Sequence, residues 1–180
     1  TKKEAGGFKY MSIIHKFDFF LFDWDGCLAD TTRCWVSAYF AALQKRGRDI
    51  TVAELQQKAW GNHEQGPKNL GIVDYQDCWN EVVSLAENDL NNPPLHGHVR
   101  FLLRELKKKN NKIGLVTSSY KNVITTAVNN HKIGHFFDVV VTKDDVKNSK
   151  PDPEALEKAI DILSAIKERT IMIGDATTDV

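Results

Sequence analysis

Residues 17–31, reading FDFFLFDWDGCLADT, constrain the fold more than any other stretch of the chain. A short run this rich in phenylalanine reads as a buried strand, not an amphipathic helix. It ends in two carboxylates, Asp23 and Asp25, followed at once by Gly26. Residues two apart on a strand share a face. Two like charges therefore meet in an apolar setting, which is costly unless a cation or a special role compensates it. The bland alternative is a turn bent at Gly26, with the acids capping it and Asp30 opening the next helix. The rest of the chain decides between the two.

After Asp30 the pattern turns helical. Trp35, Ala38, Tyr39, Ala42 and Leu43 recur at three- and four-residue steps, and Gly47 closes the segment as a C-cap would. Thr51 and Glu54 form a capping-box pattern for a helix running to about Trp60. Residues 61–71 hold three glycines and a proline and read as a loop. Tyr75, Trp79, Val82, Val83, Ala86 and Leu90 mark a further helix, stopped by Asn91, Asn92, Pro93 and Pro94. Trp60 and Trp79 fall on apolar helical stripes and are expected to pack in cores. Residues 31–95 thus read as all-helical.

Beyond them helices and strands alternate. A helix through Val99–Leu106 ends in three lysines, which suit its negative end. Strands are expected at Ile113–Thr117, Phe137–Thr142 and Thr170–Gly174. Helices fall between them, through Val123–Val128 and Ala155–Ile166. That order predicts an α/β fold: a parallel, Rossmann-like sheet with helices on both faces, and an all-helical insertion after the first strand. The expected division is a core of residues 1–30 and 96–180 and a helical domain of 31–95.

The chain's 180 residues suit such a core with one insertion, and 42% hydrophobic residues can fill it. Lysine plus arginine equals aspartate plus glutamate at 24 each, so no global field favours nucleic acid or an anionic membrane. Cys27, Cys34 and Cys78 lack metal-ligand spacing and leave one over, which suits free thiols in a reducing compartment. No membrane-spanning run or signal-like start is evident, and Met11 is a candidate native start. A cytoplasmic protein, monomeric or weakly dimeric, is expected.

In open parallel sheets the active site lies beyond the carboxyl ends of the strands. Those ends carry Asp23 and Asp25, then Thr117, Ser118 and Ser119, then Lys150 in KPDPE, then Asp175 and Asp179 in GDATTD. Each alone has a plain reading: a strand end at Thr117, a solvated loop lysine, a helix cap at Asp175. Together, acids, hydroxyls and one lysine on one rim are what magnesium-assisted phosphoryl transfer needs.

On these four motifs, in order from about Phe17 to Asp179, the chain resembles the haloacid dehalogenase-like superfamily, in its helical-cap branch. The resemblance implies that Asp23 is a nucleophile forming an aspartyl-phosphate. It makes Asp25 the general acid and base, with its backbone carbonyl on Mg²⁺. Thr117, Ser118 and Lys150 would bind the phosphoryl group, and Asp23, Asp175 and Asp179 would complete the metal site. Asn62, His63 and Glu64, in the loop between the first cap helices, are candidates to read the substrate, the alternative being a flexible surface loop. The family fold normally continues past the fourth motif with another helix and strand, so the sequence ending at Val180 is either a piece of a longer chain or leaves the fourth strand as a sheet edge. Cys27 stands where the family more often has threonine, and is expected to be a small packed side chain and not a reactive thiol. Trp24 is bulkier than usual and should point away from the acids.

The implied activity is hydrolysis of a small phosphorylated metabolite, as in phosphoglycolate phosphatases. A sugar-phosphate mutase like β-phosphoglucomutase shares all four motifs and is the alternative. A non-catalytic binding protein on the same scaffold is a third reading. A dehalogenase is disfavoured, because Asp25 supplies an acid that dehalogenation does not use.

Overall fold

A computed structural model describes residues 16–59 and 65–179. The chain divides into two compact units: one of the residues up to Ala29 together with Leu95 onward, the other Asp30–Pro94.

The first unit is built on a four-stranded parallel sheet. Its strands are β1 (Phe19–Phe22), β2 (Lys112–Val116), β3 (Val139–Val141) and β4 (Thr170–Ile173), in the spatial order β3-β2-β1-β4. The phenylalanine-rich stretch is therefore central, paired to β2 on one side and β4 on the other. Strand alternation divides its side chains. Phe20, Phe22 and Trp24 join Ile113 and Leu115 in one apolar layer. Leu21 joins Val116, Val139 and Val141 in the other. Each layer is covered by helices whose apolar residues recur at helical spacing. Val99, Leu103 and Leu106 of α5 (Val99–Lys108) and Ile124, Ala127 and Val128 of α6 (Lys121–Asn130) close the first. Ala155 and Ala159 of α7 (Glu154–Leu163) close the second. Phe22 is essentially inaccessible to solvent, and truncating it to alanine would cost about 3–5 kcal/mol.

The third and fourth strands are shorter than their sequence patterns suggest, while β2 keeps its length and begins one residue earlier, at Lys112. The third is confined to Val139–Val141, because Gly134–Phe136 turns as a short 3₁₀ helix and Thr142 caps another at Lys143–Asp145. Ile166 lies outside α7, which ends where Ser164 adopts a left-handed conformation. Among the described residues β4 is an edge strand.

The second unit has helices and no strand among its described residues: α1 (Thr32–Gln44), α2 (Val52–Lys58), α3 (Gly66–Asn69) and α4 (Tyr75–Leu90). Helix α1 buries Cys34, Ala38, Tyr39, Ala42 and Leu43 and packs against α4, where Trp79 stacks on Trp35 at 5.8 Å and 7°. Trp79 thus packs as its stripe implies. Gly47, at φ +65°, lets the chain leave α1, and the Arg48 N–H bonds the Leu43 carbonyl. Thr51 caps α2 by accepting the Glu54 N–H at 3.1 Å. The Glu54 carboxylate pairs instead with Arg48 and Lys58, so the reciprocal half of the capping box is replaced. Part of the stretch read as loop is helical: Pro67 stands at the start of α3, where its fixed φ suits a first turn. Trp60, Asn62, His63 and Glu64 lie outside the described residues.

Candidate active site

The site begins one residue past β1. The Asp23 N–H bonds the Ile173 carbonyl of β4 at 2.9 Å, so the ladder carries Asp23 to the carboxyl edge of the sheet. The Thr117 N–H extends β2 in the same way, to the Val141 carbonyl at 3.0 Å. Trp24 turns into the core beside His131 and away from the acids. Gly26 follows at φ +76°, and a Cβ there would collide with the Asp175 carboxylate. A Cβ on Gly174 would likewise strike Asp179. Both glycines thus leave room for a carboxylate to lie against bare backbone.

Lys150 reaches into this rim from the segment before α7. Its Nζ donates to Asp23 Oδ1 at 2.7 Å, to Asp179 Oδ1 at 2.5 Å and to the Val116 carbonyl at 3.3 Å. All three side chains are buried, at 4% exposed for Lys150, 7% for Asp23 and 4% for Asp179. Asp179 is fixed further by the Ala176 N–H at 3.0 Å. Burial pushes the Asp23 carboxyl up to about 7, with the charges of Asp25 and Asp179 adding to the rise and Lys150 only partly opposing it. For Lys150, burial disfavours the ammonium, but Asp23 and Asp179 outweigh that and hold its pKa above the ordinary value. One ammonium between two buried acids leaves the cluster short of positive charge.

Asp23, Asp175 and Asp179 each offer a carboxylate oxygen, and the three lie within 4.8 Å of one another. An all-oxygen, anionic donor set suits a hard divalent cation such as Mg²⁺ and offers nothing to a soft one. The unbalanced charge around Asp23 points the same way, so the residues present fit the ion.

The second acid has different company. Asp25 Oδ2 accepts from Ser119 Oγ at 2.6 Å and from Thr117 Oγ1 at 3.4 Å. Thr117 Oγ1 in turn accepts the Ser119 N–H at 3.1 Å. Thr117 is buried, whereas Ser118 is exposed and its side chain adds no hydrogen bond to the group. Ser119 lies on the same strand end in the sequence, where nothing marks a role for it. Cys27 is a partly buried thiol donating to the Ile173 carbonyl at 3.4 Å, and burial pushes it up to about 11. A thiol so rarely ionised is a poor nucleophile. His98 sits at the start of α5 with φ 69° and makes no side-chain cap bond.

Comparison with known proteins gives this arrangement its family. The model of the haloacid dehalogenase-like hydrolases matches residues 20–180. This chain belongs to the haloacid dehalogenase-like hydrolases. A pyrophosphatase PpaX of Bacillus cereus is 44% identical over 172 residues, covering 89% of this chain and 75% of the relative. A candidate haloacid dehalogenase-like hydrolase of Bacteroides fragilis superposes with a TM-score of 0.76 at 31% identity, over 91% of this chain and 80% of its own. A candidate β-phosphoglucomutase of Thermotoga maritima does so at 0.74 and 25%, over 91% and 78%. The parallel sheet and its helices are those of the family, and the chain is an enzyme of the phosphatase type. Among the described residues no helix is long and apolar enough to cross a membrane.

Proposed function

We propose that this hydrolase cleaves phosphomonoesters of a small metabolite through an aspartyl-phosphate on Asp23, with Mg²⁺ as cofactor. The observation that carries the reading is the buried Lys150 ammonium bridging Asp23 and Asp179 beside Asp175. Asp23, Asp175 and Asp179 would hold the ion, with the Asp25 carbonyl. When bound, it supplies positive charge that offsets repulsion between an anionic nucleophile and an anionic phosphoryl group. Lys150, Thr117 and the adjoining Ser118 hold the phosphoryl oxygens and orient phosphorus towards Asp23.

In the first displacement an Asp23 oxygen forms a bond to phosphorus as the ester P–O bond breaks, and Asp25 gives its proton to the departing oxygen. In the second, water attacks phosphorus, its proton passes to Asp25, and the Asp23–phosphorus linkage breaks to free phosphate. Burial of Asp23 and Lys150 strengthens their interactions with charge that develops between them. The helical unit Asp30–Pro94 is assigned as a cap that selects the substrate, with Asn62, His63 and Glu64 as its candidate readers.

The name of the 44% identical relatives puts inorganic pyrophosphate first in a substrate panel. The likeness to a candidate β-phosphoglucomutase supports a mutase as the second reading. Phosphate release should be followed over such a panel, with Mg²⁺ and with a chelator, for wild type and Asp23→Asn. The expected result is Mg²⁺-dependent release by wild type alone. Release that survives in Asp23→Asn contradicts the reading, and a hexose phosphate isomerised with little phosphate freed favours the mutase.

A further inference from the structure

The hydroxyl of Ser119 has no part in the reaction as written above, yet it makes the shortest bond to Asp25. Its Oγ lies 2.6 Å from Oδ2, against 3.4 Å for Thr117 Oγ1. These residues stand 94 apart in the chain and meet because β1 and β2 are neighbours with parallel carboxyl ends. Ser119 is itself held, because its N–H donates to Thr117 Oγ1 at 3.1 Å and its carbonyl accepts the Lys143 N–H at 3.1 Å. The hydroxyl is therefore presented by a fixed turn between two strand ends.

We infer that Ser119 is the positioning residue of Asp25: it pins one carboxyl oxygen as an acceptor and leaves the other to exchange the proton. A serine hydroxyl has one hydrogen to give. Given to Oδ2, it leaves the acid proton on Oδ1, which takes no hydrogen bond among the described residues. A carboxyl group otherwise turns freely about its terminal bond, whose energy wells are broad. A donor at 2.6 Å on one oxygen removes much of that freedom and so fixes where the proton-bearing oxygen points. Ser119 keeps its own proton throughout. Only the Asp25 proton moves, to the leaving oxygen in the first displacement and back from water in the second.

This inference rests on the reading of Asp25 as the general acid, and leaving-group dependence separates the two. An alkyl phosphate needs its departing oxygen protonated, whereas 4-nitrophenolate leaves without help. Steady-state rates on an alkyl phosphate and on 4-nitrophenyl phosphate should be measured for wild type, Ser119→Ala, Ser119→Thr and Asp25→Asn. Ser119→Ala is expected to lose about 10- to 100-fold in kcat on the alkyl ester and little on the nitrophenyl ester, with KM unchanged. Ser119→Thr restores the hydroxyl and should recover most of that loss. Equal losses on both esters, or a rise in KM alone, would overturn the positioning role and make Ser119 a scaffold or substrate contact. If Asp25→Asn itself shows no preference between the esters, the general-acid reading falls and this inference with it. If Asp25→Asn shows the preference and Ser119→Ala does not, the inference alone falls. Far-ultraviolet circular dichroism of each variant separates loss of chemistry from loss of fold.

Discussion

The sheet carries a lysine–aspartate cluster at each end, and the two behave oppositely. At the carboxyl ends of the strands, Lys150 alone bridges Asp23 and Asp179, and Asp23 is pushed up to about 7. At the amino ends, Asp138 alone receives Lys107 at 2.5 Å, Lys112 at 3.2 Å and the Ile113 N–H at 2.8 Å. Burial raises the Asp138 carboxyl as well, but those donors outweigh it and hold the group below the usual carboxylate range. The difference is one of stoichiometry and solvent. Asp138 is 20% exposed and has two cations for its one charge, so its cluster is closed. In the other, Lys150, Asp23 and Asp179 are buried and acids outnumber cations, an open arrangement that a bound cation would complete.

The largest break in this contrast should come from Asp23→Asn. Phosphate release should fall at least about a thousandfold, because the nucleophile is gone. The same variant should melt higher than wild type at pH 8 when both are metal-free, since an acid buried at a loss has been made neutral. The sign follows from the raised value: relative to an unfolded aspartate near 3.8, stability from Asp23 is present below that pH and is lost as pH rises through about 7. Differential scanning calorimetry at pH 4 and pH 8 checks both limbs, and an equal gain at the two pH values would break the assignment.

Asp138→Ala should do the reverse. It strands the Ile113 N–H and should cost about 1–3 kcal/mol in urea unfolding, with kcat unchanged. A matching pH effect follows from its lowered value. Asp138 and Asp145, held down through Thr142 and Lys121, stabilise the fold above about 3.8, and that stability is lost as pH falls through their folded values. Acid unfolding followed by fluorescence should therefore shift to higher pH in Asp138→Asn. The smallest effect belongs to an exposed pair at the same amino edge, Arg169 with Asp18 at 2.6 Å. Arg169→Ala should change stability by no more than about 0.5 kcal/mol, since water screens it. A larger loss there would erase the distinction between closed and exposed pairs.

Much of this was legible in the sequence because it is local. The run Phe17–Phe22 announces a buried strand, and strand–helix alternation fixes parallel pairing, so Asp23, Thr117, Lys150 and Asp179 could be assigned to one edge before any coordinates. What stayed hidden depends on partners far along the chain. Ser119 is one hydroxyl among three in Thr117–Ser119, and nothing in that tripeptide says which one faces Asp25. Asp138 falls inside the stretch read as the third strand and carries no signal of its role, because Lys107 and Lys112 lie 31 and 26 positions away. The short helix α3 was masked by its own glycine and proline, which mark loops and helix starts alike.

Phosphoryl transfer is proposed to pass through Asp23 at the open cluster. The most direct test is to mix enzyme, Mg²⁺ and a turned-over phosphoryl donor, quench in acid within one turnover, and map phosphorylated peptides by mass spectrometry. One added phosphoryl group is expected on the peptide bearing Asp23, absent from Asp23→Asn. Phosphate released with no label on that peptide, or a label carried by another residue, would contradict it.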